Sequence, residues 1–446
     1  MRAIIIGAGQ VGYQVAKYLT LEGVEVVIID KDENKLRELV EELDVAVVHG
    51  EGGDPQVLKA AEADTADLLL AVTNSDETNM IACLLAKAMF NIKRRIARIR
   101  NPDYFFNKVL LSKEYLDIDP AINPELEVAH AIVRLLEIPF ASEVIEFERG
   151  KILILAYKIP SKSFLIGEKL RDLSSYFRNR FIIGFIVRDE QVIVPRGDNH
   201  LEEGDLIYLP VLRDNVEEVA RILGVSEITT KNVMIMGGGR VGYYVASFIE
   251  DKMRVKIIEK KPERCQFLSQ HLKKSLILCG DGTDKELLLQ ENIRDMDAFV
   301  AVSDNEELNI MACLLAKRLG VRRVIAIVNK SEYLPLAHHL GIESVLNPRL
   351  LTASLILRYI RKGEILSLTA IADHKAEIME IELNYRSSLI NKTLEEIKFP
   401  KGSLVGIIKR GEEIIIPKGK DILQAKDRII MFVLSRAIKD LEKLLK

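Results

Sequence analysis

Long hydrophobic runs are missing from this chain. The apolar stretch at residues 68–72 is far short of the ~18 residues a membrane-spanning helix needs. A secretory leader is not expected, because Met1-Arg2 runs straight into apolar residues 3–6 and then a glycine loop, which reads as a strand. An excess of charge is also missing. The 63 basic and 66 acidic residues leave a formal net charge of -3, so there is no polycation for nucleic acid. Cysteine is scarce. Cys83, Cys265, Cys279 and Cys313 form no C-x-x-C pair and no histidine cluster supports them, so no metal site is expected. Four buried, reduced thiols in a cytoplasmic protein are the expectation. What remains is ordinary for a globular protein, with 48% hydrophobic and 29% charged residues. A length of 446 residues fits about three average domains or four smaller ones.

The chain repeats itself. Gly7-Ala8-Gly9-Gln10-Val11-Gly12 matches Gly237-Gly238-Gly239-Arg240-Val241-Gly242 at an offset of 230, with seven of thirteen positions identical over 7–19 and 237–249. Residues 79–87 match 309–317 at the same offset. Asn123-Pro124 and Asn347-Pro348 each open an apolar helix with proline at its first position. A second kind of unit follows each time. Arg188, Pro195, Gly197 and Asp205 match Arg410, Pro417, Gly419 and Asp427, and charged helices at 213–223 and 435–445 close the two copies. Residues 226–231 read as the linker between halves.

Each large unit alternates short apolar strands with helices. In the first, strands are expected at 3–6, 24–29, 46–48, 68–72 and 95–99, with helices at 11–19, 34–42, 55–61 and 79–90 between them. Fully apolar strands joined by helices imply a parallel, doubly wound sheet. The expected fold is therefore α/β. It has Rossmann domains at 1–137 and 231–361, each followed by a small α+β domain, at 138–225 and 362–446.

The glycine loops sit between strand and helix, the context a dinucleotide fingerprint requires. The first glycine makes the turn, the second admits a diphosphate, and the third lets the helix pack. The helix start offers unpaired N–H groups to phosphate. An acidic residue is expected roughly 20 positions on, and Asp30 and Glu259 both follow an apolar strand there. A carboxylate at that place accepts ribose hydroxyls and repels a 2′-phosphate, which favours NAD(H), ATP or ADP over NADP. Thr73-Asn74 and Ser303-Asp304 follow the fourth strands and face the same crevice. Asp54 and Asp281 follow the third strands, near the expected adenine. Asp54 precedes Pro55, so helix capping explains it equally well. Arg98, near the end of the fifth strand, is placed to reach a phosphate, and alignment puts Ala326 and Val328 opposite Arg98 and Arg100. The first site is expected to hold a diphosphate, while Arg240 reads a terminal phosphate in its own site or one across a domain interface.

Catalytic signatures are not found. There is no nucleophile elbow, P-loop lysine or zinc motif, and no histidine is matched between the small units: His200 aligns with Ile422. Hydride chemistry needs an acid/base beside the cofactor. A sensor without catalytic residues fits better than an NAD-dependent oxidoreductase.

At these residues the chain resembles the TrkA family of regulators of Trk-type potassium uptake. The resemblance rests on the 7–12 loop, Asp30, Ala71-Val72-Thr73-Asn74-Ser75-Asp76, Arg98-Ile99-Arg100-Asn101-Pro102 and the small β units in duplicate. It is also similar to the regulator-of-conductance, or KTN, domains of potassium channels. The resemblance implies NAD(H) or ATP/ADP as ligand. It implies self-association into a dimer or tetramer ring, and a peripheral place on the inner membrane face through a Trk-type potassium-translocating subunit. It carries nucleotide roles onto Gly7 to Val11, Asp30, Thr73, Asn74 and Arg98, and onto Gly237 to Val241 and Glu259. A regulator of a different ion transporter is the alternative. The helices after Asn123-Pro124 and Asn347-Pro348 carry apolar stripes, Val128, Ile132, Leu135 and Leu136 in the first. They serve either a core or a crossing to a neighbouring unit, within the chain or in a second chain.

Overall fold

The computed structural model describes residues 1–21, 23–173, 176–177, 180–189, 191–225, 229–360, 365–371 and 375–445. The expected domain boundary at 361/362 and the start of the expected linker, 226–228, lie outside the described residues.

The first unit is a six-stranded parallel sheet. Its strands are β1 (Arg2–Ile6), β2 (Glu25–Asp30), β3 (Ala46–His49), β4 (Leu68–Ala71), β5 (Arg94–Arg98) and β6 (Ala121–Ile122), in the order β3-β2-β1-β4-β5-β6. Helices α1 (Gln10–Leu21), α2 (Glu33–Glu42), α3 (Pro55–Ala60) and α4 (Asp76–Ala88) connect the first five strands. Two short helices, α5 (Pro102–Phe105) and α6 (Lys108–Leu111), lie between β5 and β6. Ala3, Ile4, Ile5 and Ile6 are all at most 1% exposed, so helices cover both faces of the sheet. The two-residue β6 and the short helices before it carry too little periodicity to be read from sequence.

Helix α7 (Pro124–Glu137) leads out of this sheet, capped by Asn123, whose side chain accepts from Leu126 N. A five-stranded antiparallel sheet follows: β7 (Glu143–Phe147), β8 (Ile152–Lys158), β9 (Phe185–Arg188), β10 (Gln191–Ile193) and β11 (Leu206–Leu212), with helices α8 (Leu170–Leu173) and α9 (Val216–Ile222).

The second half repeats this plan. Strands β12 (Asn232–Met236), β13 (Arg254–Glu259), β14 (Leu276–Cys279), β15 (Ala298–Ala301), β16 (Arg323–Ile327) and β17 (Ser344–Leu346) run in the order β14-β13-β12-β15-β16-β17. They are joined by α10 (Arg240–Ile249), α11 (Pro262–His271), α12 (Lys285–Gln290), α13 (Glu306–Arg318) and α14 (Tyr333–His339). Helix α15 (Pro348–Ile360) leads to β18 (Ile365–Ile371), β19 (Ala376–Glu382), β20 (Ser403–Arg410), β21 (Glu413–Ile415) and β22 (Arg428–Leu434), closed by α16 (Ile438–Leu445). Four sheets result, two parallel and two antiparallel, as the α/β reading requires.

The two halves exchange helices. α7 packs on α10 of the second parallel unit, α15 packs on α1 of the first, and α7 and α15 touch each other. Val128, Ile132, Leu135 and Leu136 are at most 1% exposed and share a core with Val233, Ile235 and Val245. Ala353, Ile356 and Leu357 share one with Ile5, Val15 and Leu19. The core and crossing readings are therefore both right, and the crossing is within the chain. Two equivalent arginines tie the exchange. Arg94 donates to the Ile360 carbonyl at the end of α15, and Arg323 donates to the Ala141 carbonyl just beyond α7. A cation at a helix C-terminus answers the dipole and its unpaired carbonyls.

The two antiparallel sheets also pack face to face. Phe147, Ile154 and Phe185 meet Ile378, Ile407 and Phe432, and the Phe185 and Phe432 rings lie edge to face 5.0 Å apart. Glu148 of the first half takes hydrogen bonds from Lys409 and Arg428 of the second.

Candidate functional site

The glycine loop joins β1 to α1 at the carboxyl edge of the first parallel sheet. Gly7 has φ +111°, and a Cβ there would lie 3.1 Å from Thr73 N. A Cβ on Gly12 would lie 1.9 Å from the Gly7 carbonyl oxygen, so α1 cannot approach the loop with any side chain at that position. A Cβ on Gly9 would meet nothing within 4 Å, so this glycine faces open space. Gln10 and Val11 begin α1. The second loop repeats this. Gly237 has φ +108°, a Cβ on Gly242 would lie 2.0 Å from the Gly237 oxygen, and Gly239 is open. Val241 begins α10 beside Arg240. Gly238 differs from Ala8. A Cβ there would meet Leu268 at 2.4 Å, which explains the additional glycine in that loop.

The two expected carboxylates hold these loops. Asp30 accepts from Ala8 N at 2.6 Å and from Asp32 N at 2.9 Å. Glu259 accepts from Gly238 N at 2.7 Å and from Lys261 N at 2.8 Å. Each therefore holds its glycine loop from the end of the second strand of its sheet.

Thr73 and Ser303 come next along the crevice. Both are fixed by an asparagine whose importance was not read from sequence. Asn79, fully buried, accepts from Thr73 N and Oγ1 and donates to the Arg98 carbonyl at 2.8 Å. Asn309 does the same for Ser303 and the Ile327 carbonyl. Asp76 and Glu306 are also equivalent. Asp76 accepts from the backbone N–H groups of Arg100 and Asn101, and Glu306 from those of Asn329 and Lys330. Asn79 and Asn309 open the repeated stretch 79–87 and 309–317, which was their signal, whereas Asp76 and Glu306 stand just before it and differ between the copies.

These bonds correct the expected alignment. In the sheet register Ala97 pairs with Ala71, and Ala326 pairs with Ala301. Ala326 thus matches Ala97, Ile327 matches Arg98, and Asn329 matches Arg100. One residue fewer in the turn before β16 sets this register. The second site still has no strand arginine. A second correction concerns Asp281. Asp54 caps α3 through Gln56 N at 2.8 Å, and the residue in the same role is Asp284, which caps α12 through Glu286 N. Asp281 instead binds Thr283 N and Oγ1 and Lys260 Nζ, which hold its carboxyl at about 2. Neither Asp54 nor Asp281 is bonded to a glycine loop.

Charge separates the two sites. Arg100 is neutralised by Glu125, with Nε 2.6 Å from the carboxylate. Arg98 is half-buried. Its Nη1 donates to Asn74 at 3.1 Å, and its Nε is buried with no hydrogen-bond partner among the described residues. Burial pulls its guanidinium below the ordinary value, and the charges of Arg100 and, from the second half, Arg240 pull it the same way, against Glu125 and Asp76. Arg240 is exposed at the start of α10, which packs on α7, and its charge reaches Arg98 of the first site. In the second site Arg264 donates to the Gly238 carbonyl at 2.5 Å and lies over the Phe267 ring.

One cysteine departs from expectation. Cys83, Cys265 and Cys313 are buried, but Cys279 is exposed at the end of β14.

Comparison with known proteins agrees with this geometry. The TrkA-N domain matches residues 3–124 and 233–348, and the TrkA-C domain matches 154–224 and 378–446. Trk system potassium uptake protein TrkA homolog 1 of Methanosarcina mazei is 37% identical, and Trk system potassium uptake protein TrkA of Halomonas elongata is 35% identical. Each covers 100% of this chain, with 100% and 98% of the relative covered in turn. Among solved structures, the GsuK channel bound to NAD has a TM-score of 0.62 at 17% identity, over 100% of this chain and 78% of that one, which shows a shared fold. With both domain types present twice in alternation and full-length relatives above 30% identity, the chain belongs to the TrkA family.

Proposed function

We propose that the chain is a nucleotide-sensing regulatory subunit that gates a membrane potassium-translocating subunit of the Trk type. It binds NAD(H), ATP or ADP without consuming them. The observation that carries the reading is the half-buried guanidinium of Arg98, with an unpartnered Nε, at the mouth of a glycine-loop crevice and within electrostatic reach of Arg240. Two like charges facing one crevice are relieved by an anion between them. The first site would hold a dinucleotide or nucleoside diphosphate by Gly7 to Gly12, Asp30, Thr73, Asn74 and Arg98.

Arg240 belongs to the other half of the chain, so a terminal phosphate reaching it would tie the two parallel units together. A ligand acts on a partner only through its different affinity for two arrangements, and this contact supplies such a difference. The name of the relatives, Trk system potassium uptake protein, supports a potassium transporter as the target. No helix among the described residues is long and apolar enough to cross a membrane, so the translocating subunit would be a separate protein. Self-association into a ring is supported by exposed apolar side chains at equivalent places on α4 and α13, Ile81 and Met311.

The test is calorimetry and melting with NADH, ATP and ADP, followed by co-purification with a Trk-type membrane subunit with and without ligand. Binding that alters recovery of the membrane subunit is expected. No change in melting with any of the three at millimolar concentration would refute the reading.

A further inference from the structure

Cys265 and Cys279 lie at the ribose end of the second crevice. Their sulfurs are 2.8 Å apart, one on the first turn of α11 and the other on the last residue of β14. In strand register Cys279 is the partner of Glu259, and the Cys265 thiol donates to the Glu259 carbonyl at 3.3 Å. Arg264, adjacent to Cys265, holds the Gly238 carbonyl. Cys279 is an exposed residue and Cys265 a buried one, whereas Cys83 and Cys313 are both closed inside cores. The first half has no such pair. His49 pairs with Asp30 in the equivalent register, and Leu36 stands six residues beyond Asp30 as Cys265 does beyond Glu259. The feature is therefore not demanded by the fold.

We propose that Cys265 and Cys279 are a reversible redox modification site that stiffens the corner carrying Glu259. A small-molecule disulfide is the oxidant. The exposed Cys279 thiolate attacks one of its sulfurs and expels one thiolate, leaving a mixed disulfide. The Cys265 sulfur, after losing its proton, attacks Cys279 and expels the second thiolate. Overall, two cysteine thiols and one disulfide become one protein disulfide and two small thiols. Two electrons pass from the cysteines to the oxidant, and the two protons end on its thiolates. Cys279 is the exposed member, so it attacks first and the buried Cys265, whose thiol burial pushes up, resolves. The sulfurs already touch, so closing to the ~2.05 Å of a disulfide needs little backbone movement. The bond ties α11 to β14 and removes the thiol donor from the Glu259 carbonyl. Its effect on a ligand rests on the nucleotide reading above, but its formation does not.

The full-length reduced chain is incubated with oxidised glutathione, blocked with N-ethylmaleimide under denaturing conditions and digested with trypsin. The expected product joins the peptide beginning at Cys265 to the peptide carrying Cys279, two hydrogens lighter than their sum. It forms within one chain on a non-reducing gel and is reversed by dithiothreitol. Cys265→Ser and Cys279→Ser should each lose the link. Amide exchange from Glu259 to Cys265 should slow in the oxidised wild type. Recovery of both cysteines as separate adducts, a link between two chains, or a link that leaves exchange unchanged would overturn the proposal.

Discussion

Arg98→Ala should separate ligand affinity from stability. Without ligand the guanidinium gives one side-chain hydrogen bond, to Asn74, worth about 1 kcal/mol net. Against that stands its buried, unpartnered Nε, which costs about 1–3 kcal/mol, and the repulsion of Arg100 and Arg240. Truncation also loses some packing of the side-chain stem. These terms nearly cancel, so the ligand-free melting point should move by no more than a few degrees. A charge-assisted contact to phosphate contributes about 1.5–3 kcal/mol, so affinity for ADP and NADH should fall roughly 10- to 150-fold. Arg100→Ala is the contrasting variant. Its charge is taken by Glu125, itself only 12% exposed, so its loss strands a carboxylate and should lower the melting point more than the affinity. Isothermal calorimetry and scanning calorimetry on both variants decide. An Arg98→Ala protein that melts far lower yet binds every nucleotide as well as wild type would refute the argument.

Gly9→Ala has open space around its new methyl and should melt like wild type without ligand, yet lose the ligand-induced rise in melting temperature. Gly12→Ala drives a methyl into the Gly7 carbonyl and should destabilise the first unit by about 1–3 kcal/mol, read in urea. Arg240→Ala should weaken ATP more than ADP in calorimetry; equal losses would remove its role at the terminal phosphate. Burial opposes the ionisation of Glu148, but Lys409 and Arg428 outweigh it and hold its carboxyl at about 2 rather than 4.5. A depressed carboxylate stabilises the fold above its unfolded value and stops doing so as pH falls from about 4.5 to about 2. Glu148→Gln should flatten stability over that window, measured by chemical unfolding at successive pH values. Light scattering at micromolar concentration should report a species larger than one chain, and NADH absorbance should stay constant with common 2-oxo acids present.

Much of the architecture was legible because it is written in short stretches. Fully apolar strands such as 3–6 demand cover on both faces wherever they fall. Gly7 and Gly12 are required by contacts with residues a few positions or one strand away. Asp30 and Glu259 follow from the length of one helix and one strand. The fold class, the duplication and both crevices need only these local periods, and the repeat confirms each by stating it twice. Longer-range choices are not encoded that way. The stripe of Val128, Ile132 and Leu135 says that α7 must be buried, but an apolar stripe does not name its partner, and only packing sends it to α10 of the other half. Without the register of β5 and β16, the match of Arg98 falls one position short, on Ala326 instead of Ile327. Asp54 reads equally as a cap and as a ligand, and its bond to Gln56 N adds the capping role. The contact of Cys265 with Cys279, and the approach of Arg240 to within electrostatic reach of Arg98, join residues whose separation in the chain carries no period. The first is decided by how α11 lies on β14 within one unit, the second by how the two halves stack, because burial is indifferent to which apolar face supplies it.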